Sequence, residues 1–547
     1  MISGGNPASN PPQNKRFLIL AALFFLLPVY PFLSMLWYHG YPVFSLEAGM
    51  VVAAAATFAL TLAWLLRSTS VFVTNLLIGL ILLLVFTIQF NLLFVGLIAV
   101  SLVTAALATL FRRKFQEWLP LVMAALIIGA GLDHWLNSPA RTHELTSTGI
   151  ETPNGPIIHV LMDGFIGPDG LPSDPESQIL RSKITDFFRA YHFELYSRAY
   201  SHYSATLDSM TRLFNFRNDD DNLFMRATLL RQPLEFKENA WFKALDRSGR
   251  QLVVYQTEAV DFCSPELSQA VICNVFPTPN LNSLRGNLKS PLERAGVLLG
   301  NMASQSALIK KVFKDAGIAE LGTWGISVYN PGLLSQMSRD IVAQPENAYF
   351  AHVLVPHAPM IFREDCSIDY SGEPWMRWPA SSGEVSNTPG SRHVRRSRMR
   401  PHIECALRLL GGLFEELRAN GLYEQSTIIV HGDHGTSLFL TKPSALRMNE
   451  LTLGDLREAF SSLFAVKLPG GRFSLNEDIK SLNALMARSA VSILGSGIDT
   501  ASIAVLEESE PFIYLGDVSP MTIGYVNIFE SPEQESSGND KKIDPSQ

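Results

Sequence analysis

Charge is almost missing from the first quarter of the chain, and that absence limits what the chain can fold into more than any other feature. The 547 residues carry 44 Lys and Arg and 51 Asp and Glu. Only Lys15, Arg16, Arg67, Arg112, Arg113, Lys114, Glu47, Glu117 and Asp133 fall before residue 140. Neither a single water-soluble globule nor a disordered chain has this distribution. Five apolar runs lie there, 17–36, 46–66, 71–87, 92–111 and 119–136, each near the roughly 20 residues that cross a bilayer core. A cleavable signal peptide accounts for the first run but not for the four that follow. Basic residues precede run one and follow runs two and four, while the loops after runs one and three have none. The positive-inside rule then puts the N-terminus in the cytoplasm and everything after about residue 140 outside.

The expected organisation is a polar cytoplasmic start (1–16), a five-span transmembrane domain (17–137), a linker (138–152), an extracytoplasmic domain (153–529) and a disordered tail (530–547). The localisation expected is multi-pass in the cell (inner) membrane, with the soluble domain periplasmic. Acidic groups exceed basic ones in the soluble part, and no Lys/Arg cluster suited to a phosphate backbone occurs, so no nucleic-acid partner is expected. All four cysteines, Cys263, Cys273, Cys366 and Cys405, lie in that part, and an even count in an exported domain favours disulfides. Cys263 with Cys273 is the natural local pair, which leaves Cys366 with Cys405; four cysteines permit three pairings. No Cys-x-x-Cys zinc pattern is present.

From residue 156 short β-branched runs (156–162, 251–256, 348–355, 426–431, 462–468) alternate with helical patterns (177–191, 204–214, 239–247, 296–315, 402–418). This alternation predicts an α/β domain with a mostly parallel central sheet flanked by helices. Ligands of such sheets sit beyond the carboxyl ends of the strands. Three runs end in chemistry-bearing residues: Asp163-Gly164, His357 in Pro-His-Ala-Pro, and Asp433-His434 in Gly-Asp-His-Gly. Two carboxylates and an imidazole make a mixed oxygen/nitrogen set that suits one divalent ion, zinc or manganese. Thr206, in the first turn of a helix with Leu207, Met210 and Phe214 as its buried stripe, is the candidate nucleophile. A hydroxyl there feels the positive end of the dipole, and coordination would lower its pKa. The plainer alternative is that Ser204 or Thr206 only caps the helix.

These elements together resemble the alkaline phosphatase/sulfatase superfamily, and the whole chain resembles its membrane-anchored branch of phosphoethanolamine transferases and lipoteichoic acid synthases. The resemblance implies a five-span bundle before an alkaline phosphatase/sulfatase-type domain. It implies Asp163, Thr206, Asp433 and His434 as metal ligands, Thr206 as nucleophile, and His357 as the histidine at the transferred group. Ser209 and Phe214 stand at the offsets seen in phosphoethanolamine transferases. Ser209, Lys442 and Arg447 are the candidates for holding the substrate anion.

Departures narrow the chemistry. Sulfatases make formylglycine from Cys or Ser ahead of x-Pro-x-Arg, and Thr206 followed by Leu-Asp-Ser-Met offers no such substrate. No histidine follows His434, so a single-metal site is expected. The expected activity is a transferase moving a phospho-head group, phosphoethanolamine- or glycerophosphate-like, from a membrane phospholipid donor to an envelope glycan or lipid acceptor through a phospho-threonine intermediate. The rival expectations are a phosphodiesterase or other ester hydrolase with water as acceptor, and a catalytically degenerate envelope scaffold.

Overall fold

The computed structural model describes residues 13–38, 41–69, 73–74, 77–79, 81, 118–129, 132, 155–217, 224–225, 234–236, 238–257, 260–263, 271–276, 290–304, 331–357, 360, 362–367, 389–495, 512–515 and 521–524. Its principal helices are α1 (Gln13–Tyr38), α2 (Leu46–Leu66), α3 (Pro175–Ala190), α4 (Thr206–Leu213), α5 (Ala240–Arg247), α6 (Pro291–Ser304), α7 (Pro331–Ala343), α8 (Pro389–Ala419), α9 (Leu453–Phe460) and α10 (Leu482–Leu494). The central sheet is built from β1 (Ile157–Met162), β2 (Glu194–Tyr196), β3 (Leu252–Thr257), β4 (Val271–Phe276), β5 (Ala348–Val353), β6 (Thr427–His431), β7 (Phe464–Lys467) and β8 (Ser474–Asn476). The chain divides into two compact bodies, Met1–Arg141 with Leu284–Gly325, and Thr142–Ser283 with Ile326–Gln547.

In the first body, α1 and α2 are long and apolar enough to cross a membrane. They are two helices where the sequence reading expects five spans. Run 92–111 lies outside the described residues, as does most of run 71–87, and run 119–136 contributes a shorter helix, Trp118–Gly129. On α2 the side chains of Phe58, Leu60, Trp64 and Leu65 are more than half exposed, an apolar face that water alone would not favour. Ser45 caps α2 by accepting from the Ala48 N–H. The same first turn carries Glu47, 1% exposed, which accepts from the Tyr41 hydroxyl and from the Arg294 guanidinium of α6 at 3.3 Å. A carboxylate buried this deeply in an apolar body needs such a cation.

The second body is an α/β domain around the eight-stranded sheet, ordered β8-β2-β7-β6-β1-β5-β3-β4. Neighbours run parallel except on the two sides of β7. The sheet is therefore mixed, and its centre, β6-β1-β5-β3, is parallel. Every residue of β1 and β6 is buried, as expected of strands covered on both faces. Ile157 and Leu161 of β1, Phe350 of β5 and Ile429 of β6 share one core with Met210, Leu213, Trp241, Phe242 and Leu485 of α4, α5 and α10. Phe214 sits in that core among Phe236, Phe242, Phe262 and Phe350, with ring centroids 5.5–6.0 Å away. Full burial of each such ring is worth about 1.5–3 kcal/mol. Helix α8 packs against α3 and α7.

The disulfides are Cys263–Cys273 and Cys366–Cys405, separated by 10 and 39 residues. Loop-closure entropy grows with the enclosed length, giving about 3 kcal/mol for the shorter loop and about 4 kcal/mol for the longer. Replacing Cys366 and Cys405 by Ser should therefore lower the urea midpoint more than the same change at Cys263 and Cys273. The reverse order would show that unfolded-chain entropy does not set their contribution.

Candidate metal centre

The parallel pairing of β1 with β6 brings two carboxylates to one edge of the sheet. In register, Leu161 lies beside His431, so Asp163 and Asp433 emerge together where the strands end. Gly164 lets the chain turn away with φ +68°, a conformation that costs glycine nothing. Its N–H donates to Asp433 Oδ1 at 2.8 Å. Gly435 serves a close approach: a Cβ there would lie 2.1 Å from the Glu458 carbonyl oxygen. The loop after β6 thereby docks onto α9, with the Gly435 N–H donating to the Ala459 carbonyl and the Thr436 N–H to the Glu458 carbonyl. Arg392 and Arg396 of α8 hold the Glu458 carboxylate from the other side.

His434 completes the cluster. Its Nδ1–H donates to the Gly435 carbonyl at 2.7 Å, leaving Nε2 as the nitrogen that could ligate a metal. That atom lies 3.2 Å from Thr206 Oγ1, 3.3 Å from Asp433 Oδ2 and 3.9 Å from Asp163 Oδ1. One ligand atom from each of Asp163, Asp433 and His434 falls within 4.8 Å of the others. Asp163 Oδ1 and Asp433 Oδ2 are buried and accept no hydrogen bond. Two donor-less carboxylate oxygens facing one imidazole nitrogen fit a hard-to-borderline dication, whose charge would offset what the protein leaves uncompensated.

Thr206 is the first residue of α4. The N-cap is Ala205, and no side chain caps the helix. The capping role is therefore not what Thr206 or Ser204 performs here, and the Thr206 hydroxyl points at His434 instead. Ser209, one turn on and 3% exposed, donates to the Asp433 carbonyl at 2.6 Å and bonds the Ser201 hydroxyl at 2.9 Å. Its hydroxyl is thus engaged in fixing the Asp433 loop. His357 follows β5 and lies against Gly164, its Cα 3.6 Å from where a Cβ of residue 164 would be. Lys442 is exposed, and Arg447 lies in the 3-10 segment Ala445–Glu450 with its guanidinium 3.7 Å from Glu450; neither is on the strand ends that carry the cluster.

One neighbour escapes the sequence reading. His352 of β5, 1% exposed, puts Nε2 3.6 Å from Asp163 Oδ2, and neither ring nitrogen has a hydrogen-bond partner. The only signal for it is a histidine inside an otherwise apolar strand. Burial by itself raises the Asp163 pKa, but His357, His352 and His434 outweigh it and hold the carboxyl well below its usual range. For His434 burial lowers the pKa, and the charges of Asp433 and Asp163 more than reverse it, so the imidazole titrates above its ordinary value.

A dication must displace the proton from His434 Nε2. Affinity for zinc should accordingly be constant above the raised His434 pKa and weaken by about tenfold per pH unit below it, while Asp163 stays ionised. Calorimetric titration between pH 5.5 and 8.5 measures this; a dissociation constant that ignores pH would remove His434 from the ligand set.

No protein-family model matches the chain, and no curated protein matches it. Solved structures similar to it include the C-terminal periplasmic domain of EcEptC from Escherichia coli in complex with zinc, at 9% identity over 70% of this chain and 95% of that one, with a TM-score of 0.42. Phosphonate monoester hydrolase of Agrobacterium radiobacter is similar at 12% identity, over 69% and 82% of the two chains, with a TM-score of 0.39. PsFucS1 sulfatase from Pseudoalteromonas sp. is similar at 11% identity, over 66% and 74%, with a TM-score of 0.34.

Proposed function

We propose that the protein is a membrane-tethered phospho-group transferase that takes the head group of a phospholipid through a phospho-threonine intermediate. The observation that carries this reading is the position of the Thr206 hydroxyl, 3.2 Å from His434 Nε2, the same atom toward which two carboxylate oxygens without donors turn. A divalent ion held by Asp163, Asp433 and His434, with Thr206 as a further ligand, would supply Lewis acidity and depress the hydroxyl pKa.

The chain's own groups supply the rest. The N-cap of α4 is Ala205, which supplies no side-chain acceptor, and the backbone of the first turn would meet the phosphoryl oxygens, with the helix dipole favouring their charge. Thr206 gives up its proton to solvent and forms the Oγ–P bond as the bond from phosphorus to the lipid oxygen breaks. His357, beside Gly164, would hand a proton to the departing oxygen. An acceptor hydroxyl of an envelope glycan or lipid then gives its proton to His357 and attacks phosphorus, and the Oγ–P bond breaks to release Thr206. The apolar helices α1 and α2 would keep the site at the surface from which the donor comes and raise its effective concentration. Placement in the inner membrane with the domain on the periplasmic side belongs to this reading.

Thr206→Ala should reduce turnover of labelled phospholipid by at least about a thousandfold, while zinc is still held by the three remaining side chains. Intact-mass analysis of the wild-type full chain after incubation with phospholipid should find the head group on the peptide that carries Thr206. Retained turnover in the Ala variant would remove Thr206 from the mechanism. Release of the head group to water even with acceptor lipid or glycan present would identify a hydrolase in place of a transferase.

A further inference from the structure

Behind the cluster, three buried side chains form a continuous hydrogen-bonded chain that the reaction itself does not use. The Trp241 indole N–H of α5 donates to His159 Nδ1 at 3.0 Å. His159 Nε2 lies 2.7 Å from His431 Nε2, and His431 Nδ1 lies 2.5 Å from the Gly432 carbonyl oxygen. Both imidazoles are 0% exposed, as is the indole. One end of this chain can only donate, because an indole has no acceptor, and the other end can only accept, because it is a carbonyl. With two neutral rings between them, a single assignment makes all three bonds. His431 carries its proton on Nδ1 and accepts at Nε2, and His159 carries its proton on Nε2 and accepts at Nδ1.

The two ends of the chain are also informative. The Gly432 carbonyl belongs to the peptide that leads into Asp433. The next carbonyl, that of Asp433, accepts from Ser209 of α4. Both peptides that flank the carboxylate residue are thus held by buried donors. At the far end, Trp241 donates its backbone N–H to the Phe214 carbonyl at 2.9 Å, and the Asn215 side chain accepts from the Ala240 N–H at 3.0 Å. Trp241 therefore touches the end of the Thr206 helix with its main chain and reaches the Asp433 loop with its side chain through two rings. The spacing between nucleophile and ligand loop is spanned by one unbroken set of directional bonds.

We infer that Trp241, His159 and His431 are positioning residues that set the Asp433–His434 loop against α4 and so tune metal affinity. This rests on the metal-centre reading above. Groups that orient ligands from behind typically contribute 10–100-fold in affinity. His159→Gln keeps an acceptor for Trp241 and a donor for His431, whereas His159→Leu keeps neither. Trp241→Phe keeps the ring and loses the donor.

Zinc dissociation constants would be measured on the full chain in nanodiscs, with thermal midpoints alongside. His159→Leu and Trp241→Phe should weaken zinc binding by about 10–100-fold, and His159→Gln should restore it to within about threefold of wild type. A purely structural role would lower the midpoints and leave affinity unmoved, which would overturn the inference. Nitrogen-15 histidine spectra of the metal-free wild type give a second, activity-free readout that does not depend on the variants folding. A His431 ring protonated at Nδ1 and a His159 ring protonated at Nε2 support the chain as drawn, and the opposite tautomers overturn it. Zinc that binds all four proteins equally would defeat the relay alone. Zinc that fails to bind the wild type would defeat the metal-centre reading and this inference with it.

Discussion

Repulsion between two buried carboxylates is the constraint around which the rest of the domain is arranged. Asp163 and Asp433 are 5% and 0% exposed, and each turns an oxygen without a donor toward the same imidazole. Burying a charge without full compensation costs several kcal/mol even after relaxation. The fold meets part of that cost locally, with the Gly164 N–H on one Asp433 oxygen and with His352 beside Asp163. It meets the remainder by holding the loops where they are through contacts that do not involve the carboxylates. Glu458 illustrates this division of labour. Two arginines neutralise its carboxylate while its carbonyl receives the Thr436 N–H, so an ion pair on α8 and α9 steadies a loop that has its own charge problem. A dication in the cluster, within the proposed reading, would remove the repulsion that these contacts resist.

Delivery of the threonine follows a similar logic. Ala at the N-cap forgoes about 1 kcal/mol of helix stability relative to Ser or Asn. What α4 loses at its start it regains from the aromatic nest around Phe214 at its end and from Ser209 on the Asp433 carbonyl. The helix is thus held at Ser209 and at its C-terminal end.

Much of the site was legible in the sequence because its residues sit directly after apolar runs long enough to read as strands. Asp163, Asp433 and His434 follow β1 and β6, and the parallel sheet of the α/β class makes such ends converge. The helix that begins at Thr206 was legible from the stripe of Leu207, Met210 and Phe214. Strands β2 and β8, three residues each, are too short for any period to register. The helix read as starting at residue 402 starts at Pro389, because Pro401 looks like a first-turn proline and is an interior one. His352 and His159 gave no cue beyond that of a histidine inside an apolar strand, since their partners lie on other elements. The role of Ser209 was hidden likewise: its bond crosses to residue 433, and only the folded chain brings the two together.

The assignment of Leu284–Gly325 to the same body as the N-terminal helices has a bearing on where the polypeptide can be cut. Ala295 and Leu298 of α6 are buried, and Arg294 is the guanidinium partner of Glu47. Severing the chain near residue 141 would strip that helix of its bed and leave a greasy, cation-bearing strip dangling from the water-facing remainder. Frontier and linear order do not coincide in this protein. Separating the larger body calls for two removals, one of the chain ahead of residue 142 and one of 284–325.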